Sequence, residues 1–137
     1  LMHMQGSPQN MQLNTRYDNL INDLIIFFKS KIKIASEAGI SNNMIILDPG
    51  IGFGKKVQDN FEIIRELKQI KAMGYPILLG PSRKSFIGQV LDLPVEDRLE
   101  GTMASISAGI LNGANIVRVH DIIETKRTLS VIEKIIG

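Results

Sequence analysis

The chain has 137 residues, 44% hydrophobic and 22% charged, with a formal net charge of +2 and no cysteine. That length holds one domain at most, disulfides and thiolate metal sites are excluded, and no apolar run approaches the ~20 residues of a membrane span. The small charge and the 5% of aromatic residues argue against the clustered basic face or stacking platform of a nucleic-acid binder.

A cysteine-free composition fits a reducing cytoplasm, the expected location, but also fits other compartments. The chain opens Leu1-Met2-His3-Met4, with no initiator methionine and no signal-peptide pattern, inside strand-like sequence. It therefore reads as a piece of something longer. Residues 1–4 alternate as a short strand does, and Gly6-Ser7-Pro8 breaks the run. From Asp18 to Ala38 apolar residues recur at helical spacing (Leu20, Ile21, Leu24, Ile25, Phe28, Ile32, Ala35), and Gly39 is the stop. Met44-Ile45-Ile46-Leu47 is predicted as a buried strand ending at Asp48-Pro49. A helix beginning at Asn60 carries Phe61, Ile64, Leu67 and Ile70 and ends at Gly74.

Tyr75–Gly80 is the next predicted strand, with Pro76 tolerated at its start. A loop with Ser82-Arg83-Lys84-Ser85 follows. A helix then carries Leu99, Met103, Ile106, Ile110 and Leu111 and stops at Gly113. Asn115–His120 is the last strand. Asp121 is placed to cap a final helix carrying Ile122, Leu129, Ile132 and Ile136. Four strand–helix units imply a parallel sheet covered by helices. Periodicity does not separate a small doubly wound sheet from half of a (β/α)8 barrel, which needs ~250 residues when whole.

In either architecture ligands sit beyond the C-terminal ends of the strands. Charge and glycine collect there, at Met4-Gln5-Gly6, Asp48-Pro49-Gly50, Gly80–Lys84 and Arg118–Asp121, while the opposite loops are bland. The stretch MIILDPGIGFGKK (Met44–Lys56) is not a P-loop: three residues separate Gly50 from Gly54-Lys55, and Lys56 stands where Ser or Thr is needed. The third glycine is also wrongly spaced for a dinucleotide fingerprint. A ligand-free glycine turn remains open, but Asp48 ends an apolar strand, where an unpaired charge is expensive. It requires a partner with adjacent N–H donors. Arg118 and His120, two apart on a strand, share a face. They suit an anion site, or an arginine paired to a neighbouring strand beside a rim histidine. The basic 82–85 loop suits plain solvation equally well. Met2 and Met4 suit a core, and His3, on the opposite face, a structural role.

Taken together, LMHMQGSPQNMQ, ILDPGIGFGKK, LLGPSRKSFIG and IVRVHD, in this order and at these separations, resemble dihydropteroate synthase over the whole chain. The resemblance implies strand five to helix eight, (βα)4, of a TIM barrel, so that residues 1–137 form a partial pterin-binding domain without its N-terminal half. That family joins 6-hydroxymethyl-7,8-dihydropterin pyrophosphate to 4-aminobenzoate, giving 7,8-dihydropteroate and pyrophosphate in folate synthesis, and sulfonamides compete for the aminobenzoate position. By this resemblance Asp48 pairs with the pterin's amino-pyrimidine edge, and Lys84 reaches the pterin carbonyl and ring nitrogen. Met2 packs on the ring, and Gly80 lets it approach the backbone. Arg118 and His120 line the pterin and pyrophosphate side of the barrel mouth, Arg118 touching the pterin as well. Gly52, Phe53 and Ser85 lie near aminobenzoate. Lys84, Arg118 and His120 are the implied catalytic residues.

Magnesium is implied with the pyrophosphate, held by an asparagine of the missing half and by no residue of this chain. The intact enzyme is implied to be a cytoplasmic homodimer acting on small molecules, with no nucleic-acid or membrane partner, and the chain alone to be inactive. Two alternatives are a non-catalytic or degenerate pterin-binding piece and a methyltetrahydrofolate methyltransferase-type barrel. The SRKS loop argues against the second.

Overall fold

The computed structural model describes residues 1–6 and 17–137, so the expected break at Ser7-Pro8 lies outside the described residues. Four extended segments lie side by side, all parallel. Met2 bridges to Asp48, Leu47 to Ile77, and β1 (Leu78–Leu79) pairs with β2 (Ile116–Val117) in the register Leu78 with Ile116. Each segment therefore neighbours the next one in the chain. A doubly wound sheet reverses its strand order near the middle, whereas a barrel wall does not. The sequential order decides for an arc of barrel wall.

The helices between these segments are α1 (Leu20–Glu37), α2 (Val57–Arg65), α3 (Leu67–Lys71), α4 (Ser85–Leu91), α5 (Leu99–Leu111) and α6 (Ile122–Ile136). They form one layer, α1 against α2 and α3, α2 against α4 and α5, and α5 against α6. Side chains on a strand alternate faces. Ile45, Leu47, Ile77 and Leu79 turn into the core with Leu24, Phe28, Ile63, Leu67, Ile70 and Phe86. Their alternates Ile46 and Ile116 are exposed on the concave side, at 39% and 38%.

Local chemistry sets the helix ends. The Asn19 side chain accepts the Asn22 N–H at 3.1 Å and opens α1. At its other end Gly39, at φ +82°, lets Ile40 N–H reach Ala35 O and Gly39 N–H reach Ser36 O, both at 2.9 Å. The same pair of bonds closes α5 at Gly113.

Several expectations are corrected. Met44 closes a 3-10 turn (Asn42–Met44) and is 75% exposed, so the buried strand reduces to alternate residues of 45–48. The second helix starts at Val57, because the Asp59 carboxylate accepts the Lys56 N–H at 2.7 Å, and it is interrupted at Glu66. Lys84-Ser85 is the start of α4 rather than part of a loop, and a 3-10 turn (Val95–Asp97) precedes α5. The buried face of α5 is Thr102, Ser105, Ile106 and Gly109, while Leu111 is exposed. A β-carbon at Gly109 would strike Leu79, so small residues set how closely α5 approaches the sheet. On α6, Thr125 and Ile132 are buried while Ile122 and Ile136 face solvent.

The one-sided wall makes a direct test. Leu47→Ala should destabilise the chain by about 2–5 kcal/mol, as a buried leucine truncation does. Ile46→Ala, on the other face of the same segment, should change stability by less than about 1 kcal/mol. Urea unfolding of both variants checks the contrast, and equal losses would contradict it.

Candidate functional site at the strand ends

Asp48 is 8% exposed and held by its main chain from both sides. Its N–H donates to Leu1 O at 2.8 Å, and its carbonyl accepts the His3 N–H at 2.9 Å. Its carboxylate then leaves the wall. One oxygen, Oδ1, accepts the Gly50 N–H at 2.8 Å, and the other, Oδ2, lies 3.9 Å from an Arg118 guanidinium nitrogen. The expected N–H partner is thus supplied partly by the acid's own loop, and the charge partly by the fourth segment.

Gly50, Gly52 and Gly54 all take left-handed backbone, at φ +70°, +81° and +61°, a conformation side-chain-bearing residues rarely adopt. A β-carbon at Gly50 would collide with the His3 carbonyl oxygen, and one at Gly52 would lie 3.0 Å from Lys84 Cδ. The alternating glycines therefore lay the loop flat on the first segment and leave room for the Lys84 stem. The loop is pinned from three sides. Asn60 Oδ1 accepts the Gly52 N–H at 2.7 Å, Tyr17 Oη donates to Gly54 O at 2.9 Å, and Lys55 Nζ donates to Phe53 O at 3.0 Å.

Lys84 crosses Gly52 and sets its ammonium 4.1 Å from the centre of the Phe53 ring, a cation–π distance. Burial first, and then Arg118, lower its pKa, against Asp48, which raises it. Arg118 lies over Gly80, where a β-carbon would be 3.1 Å from a guanidinium nitrogen. Gly80 was expected to admit a ring to the backbone. In this structure it admits Arg118, which passes over it toward Asp48. His120 lies beyond β2, its Nδ1 2.8 Å from Ser82 Oγ. Met2 is half-exposed beside Asp48, and Ser85 is exposed at the first turn of α4.

Asp48, Gly52, Phe53, Gly80, Lys84 and Arg118 therefore converge through direct approaches, and His120 joins through Ser82. Asp121 does not cap α6 with its side chain. Its carboxylate takes Arg83 instead, at 3.1 and 2.5 Å, which lowers the Asp121 pKa and raises that of Arg83. Sequence reasoning singled out no role for Lys55, Asn60, Ser82 or Thr102. All four are buried polar residues, and burial is what a single sequence conceals. The nearest signal was the place of Lys55, Asn60 and Ser82 within or just after the glycine and SRKS motifs; Thr102, inside α5, carried none.

The profile of the pterin binding enzyme family matches residues 1–120. The chain belongs to that family. Among its relatives, the dihydropteroate synthase of Clostridium beijerinckii is 50% identical over 124 residues, covering 90% of this chain and 46% of the relative. The Haemophilus influenzae dihydropteroate synthase is 43% identical over 131 residues, 96% of this chain and 48% of its own. The Yersinia pestis dihydropteroate synthase, solved with a sulfonamide drug complex, superposes with a TM-score of 0.95 at 41% identity, over 97% of this chain and 48% of that one. The Thermus thermophilus enzyme in complex with 4-aminobenzoate gives 0.93 at 32% identity, over 100% and 56%. This chain thus spans about half the length of the relatives it matches, and its arc is one half of a (β/α)8 barrel.

Beneath the site, Lys55 and His3 form a buried polar pair. Lys55 Nζ lies 3.2 Å from His3 Nδ1, and the His3 ring meets Phe27 edge-on at 4.8 Å. Burial, then the Lys55 charge, pushes His3 down from 6.5 to about 4. Burial pushes Lys55 down to about 8, against the pull of Asp48 and Asp59. Between pH 4 and 6.5 the unfolded chain binds a proton at His3 that the folded chain refuses. Stability should therefore fall by roughly 2–3 kcal/mol as pH drops through that window. Thermal melts across it should show the slope, and His3→Gln should flatten it. An unchanged slope would assign the effect to other groups.

Proposed function

We propose that this chain is the second half of a dihydropteroate synthase, which condenses 6-hydroxymethyl-7,8-dihydropterin pyrophosphate with 4-aminobenzoate. The observation that carries the reading is the convergence of Asp48, Lys84 and Arg118 at the strand ends, Lys84 passing over Gly52 and Arg118 over Gly80. A flat heterocycle needs an apolar slot with a few convergent polar groups. A carboxylate with an oxygen to spare fits the adjacent N–H groups of an amino-pyrimidine edge, and Lys84 Nζ fits the ring carbonyl and nitrogen. Met2 packs on the ring, while Gly52, Phe53 and Ser85 border the arylamine.

In the reaction the methylene–oxygen bond to pyrophosphate breaks, a bond from the methylene to the arylamine nitrogen forms, and that nitrogen loses a proton. Charge grows on the leaving oxygens, where fixed donors act best; Arg118 and His120 supply them. The arylamine needs placement more than a strong base. Among the described residues there is no group of three or more His, Asp or Glu that could hold a metal ion. We assign the magnesium accompanying pyrophosphate to ligands outside this chain. A cytoplasmic homodimer is part of the same proposal; among the described residues no helix is long and apolar enough to cross a membrane. The relatives named above are dihydropteroate synthases rather than methyltransferases, which favours arylamine transfer.

The test is a full-length synthase carrying this chain as its second half. It should form dihydropteroate and release pyrophosphate, while the 137-residue chain alone should not. Asp48→Asn should weaken binding of a pterin analogue tenfold or more, since a charge-assisted bond is worth roughly 1.5–3 kcal/mol. Unchanged affinity by calorimetry would reduce Asp48 to a turn residue.

Arg118→Ala should depress pyrophosphate affinity more than affinity for a pterin without phosphates. Arg118→Lys should restore only part, lacking the planar fork. Competition binding with thermal melts decides: equal losses for both ligands, or a collapsed melt, would favour a structural ion pair with Asp48.

A further inference from the structure

Ser82 follows β1 and Pro81 and is buried. Its hydroxyl meets His120 twice, accepting the His120 main-chain N–H at 3.2 Å and lying 2.8 Å from the ring Nδ1. We propose that Ser82 is a positioning residue that fixes His120 in the tautomer carrying its proton on Nε2. The imidazole then presents an N–H donor to the oxygens of the departing pyrophosphate. The role in turnover rests on the synthase reading above; the tautomer does not.

The argument is one of donors and acceptors. A serine hydroxyl has one proton and two lone pairs. One lone pair takes the His120 N–H, and the ring is the only other polar partner of Oγ among the described residues. Were Nδ1 protonated, its N–H would point at Oγ, and the buried hydroxyl proton would face no acceptor, an arrangement proteins avoid. With Nδ1 bare, the hydroxyl donates into it and every group is satisfied. The single proton of the neutral ring then sits on Nε2. Residue His120 is exposed, and Nε2 has no partner among the described residues, leaving its N–H for a ligand.

The grip is doubled one residue along. Arg83 holds Asp121 with two nitrogens, and the Arg83 N–H donates to the buried Thr102 Oγ1 at 3.0 Å. Arg83 keeps left-handed backbone, φ +55°, without being glycine, and Arg98 Nη1 donates to its carbonyl at 3.1 Å. Ser82–His120 and Arg83–Asp121 are thus consecutive pairs across the ends of β1 and β2. The turn that leads into Lys84 at the start of α4 and the residue that presents the imidazole are fixed to each other.

The chain has two histidines, which makes the tautomer readable. In 15N-histidine-labelled chain in mildly alkaline buffer, long-range proton–nitrogen correlations should show His120 with a bare Nδ1 and a protonated Nε2; His3→Gln assigns the signals. Ser82→Ala should give an averaged mixture of tautomers, and Ser82→Thr, which keeps the hydroxyl, should restore the single form. In the full-length synthase, Ser82→Ala should lower kcat/KM for the pterin pyrophosphate roughly tenfold, with affinity for a phosphate-free pterin unchanged. A protonated Nδ1 in the unmutated chain overturns the proposal even if the variants do not fold. So does a Ser82→Ala protein that keeps the Nε2–H form or full kcat/KM. A full-length protein without synthase activity, but with the tautomer as described, overturns the functional reading and leaves the Ser82–His120 assignment standing.

Discussion

The main chain of Asp48 belongs to the sheet and its carboxylate to the site, and the arrangement depends on that division. Two main-chain bonds to Leu1 and His3 fix the residue in the wall. The carboxylate emerges at the rim with one oxygen committed to Gly50 and the other facing Arg118 across a gap too long for a strong bond. A fully paired acid there would be stable and closed to ligands, and an unpaired one would be expensive. Partial pairing keeps the charge tolerable and leaves acceptor capacity open.

Glycine makes the approach of the other groups feasible. Gly52 gives passage to Lys84, and Gly80 gives passage to Arg118. Each long cationic side chain lies across main chain that carries no β-carbon. The guanidinium approaches Asp48, and the ammonium, set over Phe53, lies within the reach of the same acid's charge. Beneath them Lys55 and His3 support the glycine loop from inside, at the expense of burying two titratable groups whose neutral forms are favoured. Lys84 and Arg118 bring positive charge near the Asp48 carboxylate from above. From below only Lys55, its pKa pushed down to about 8, can add to it, and His3 stays neutral.

The order of elements was legible because strand and helix periodicities differ and because glycine ends three of the predicted helices. Gly39, Gly74 and Gly113 all take left-handed backbone as expected of helix stops. The boundaries around residues 44–57 and 84–98 were less legible. Met44 looks like a core residue but sits in a 3-10 turn, and Asn60 looks like a helix start but is an internal clamp on Gly52. Barrel against doubly wound sheet was beyond periodicity, since both share the same local pattern; the pairing order supplied the difference. At the site, the resemblance named Asp48, Lys84 and Arg118, which the structure brings near one another at the strand ends. Ser82, Thr102 and Lys55 act through burial and tertiary bonds, which composition and spacing do not encode. Asp121 read as a cap for α6 because helix propensity is local, and its bond to Arg83 is not.

The sequential pairing of the four extended segments also bears on how the chain acquires its structure. Every bridge joins neighbours in the chain, Met2 to Asp48, Leu47 to Ile77, Leu78 to Ile116, with one helical crossover closing each. No strand must wait for a distant partner, so the entropy of loop closure is met in separate, moderate steps. Each pairing still spans a whole strand–helix unit, and parallel pairing of this kind forms more slowly than local helical contact. The wall can grow from any adjacent pair, with later units docking on an edge already formed. The ion pair from Arg118 to Asp48 departs from this pattern, because it skips a segment. It requires both intervening pairings, so a wall lacking its third or fourth segment does not hold it.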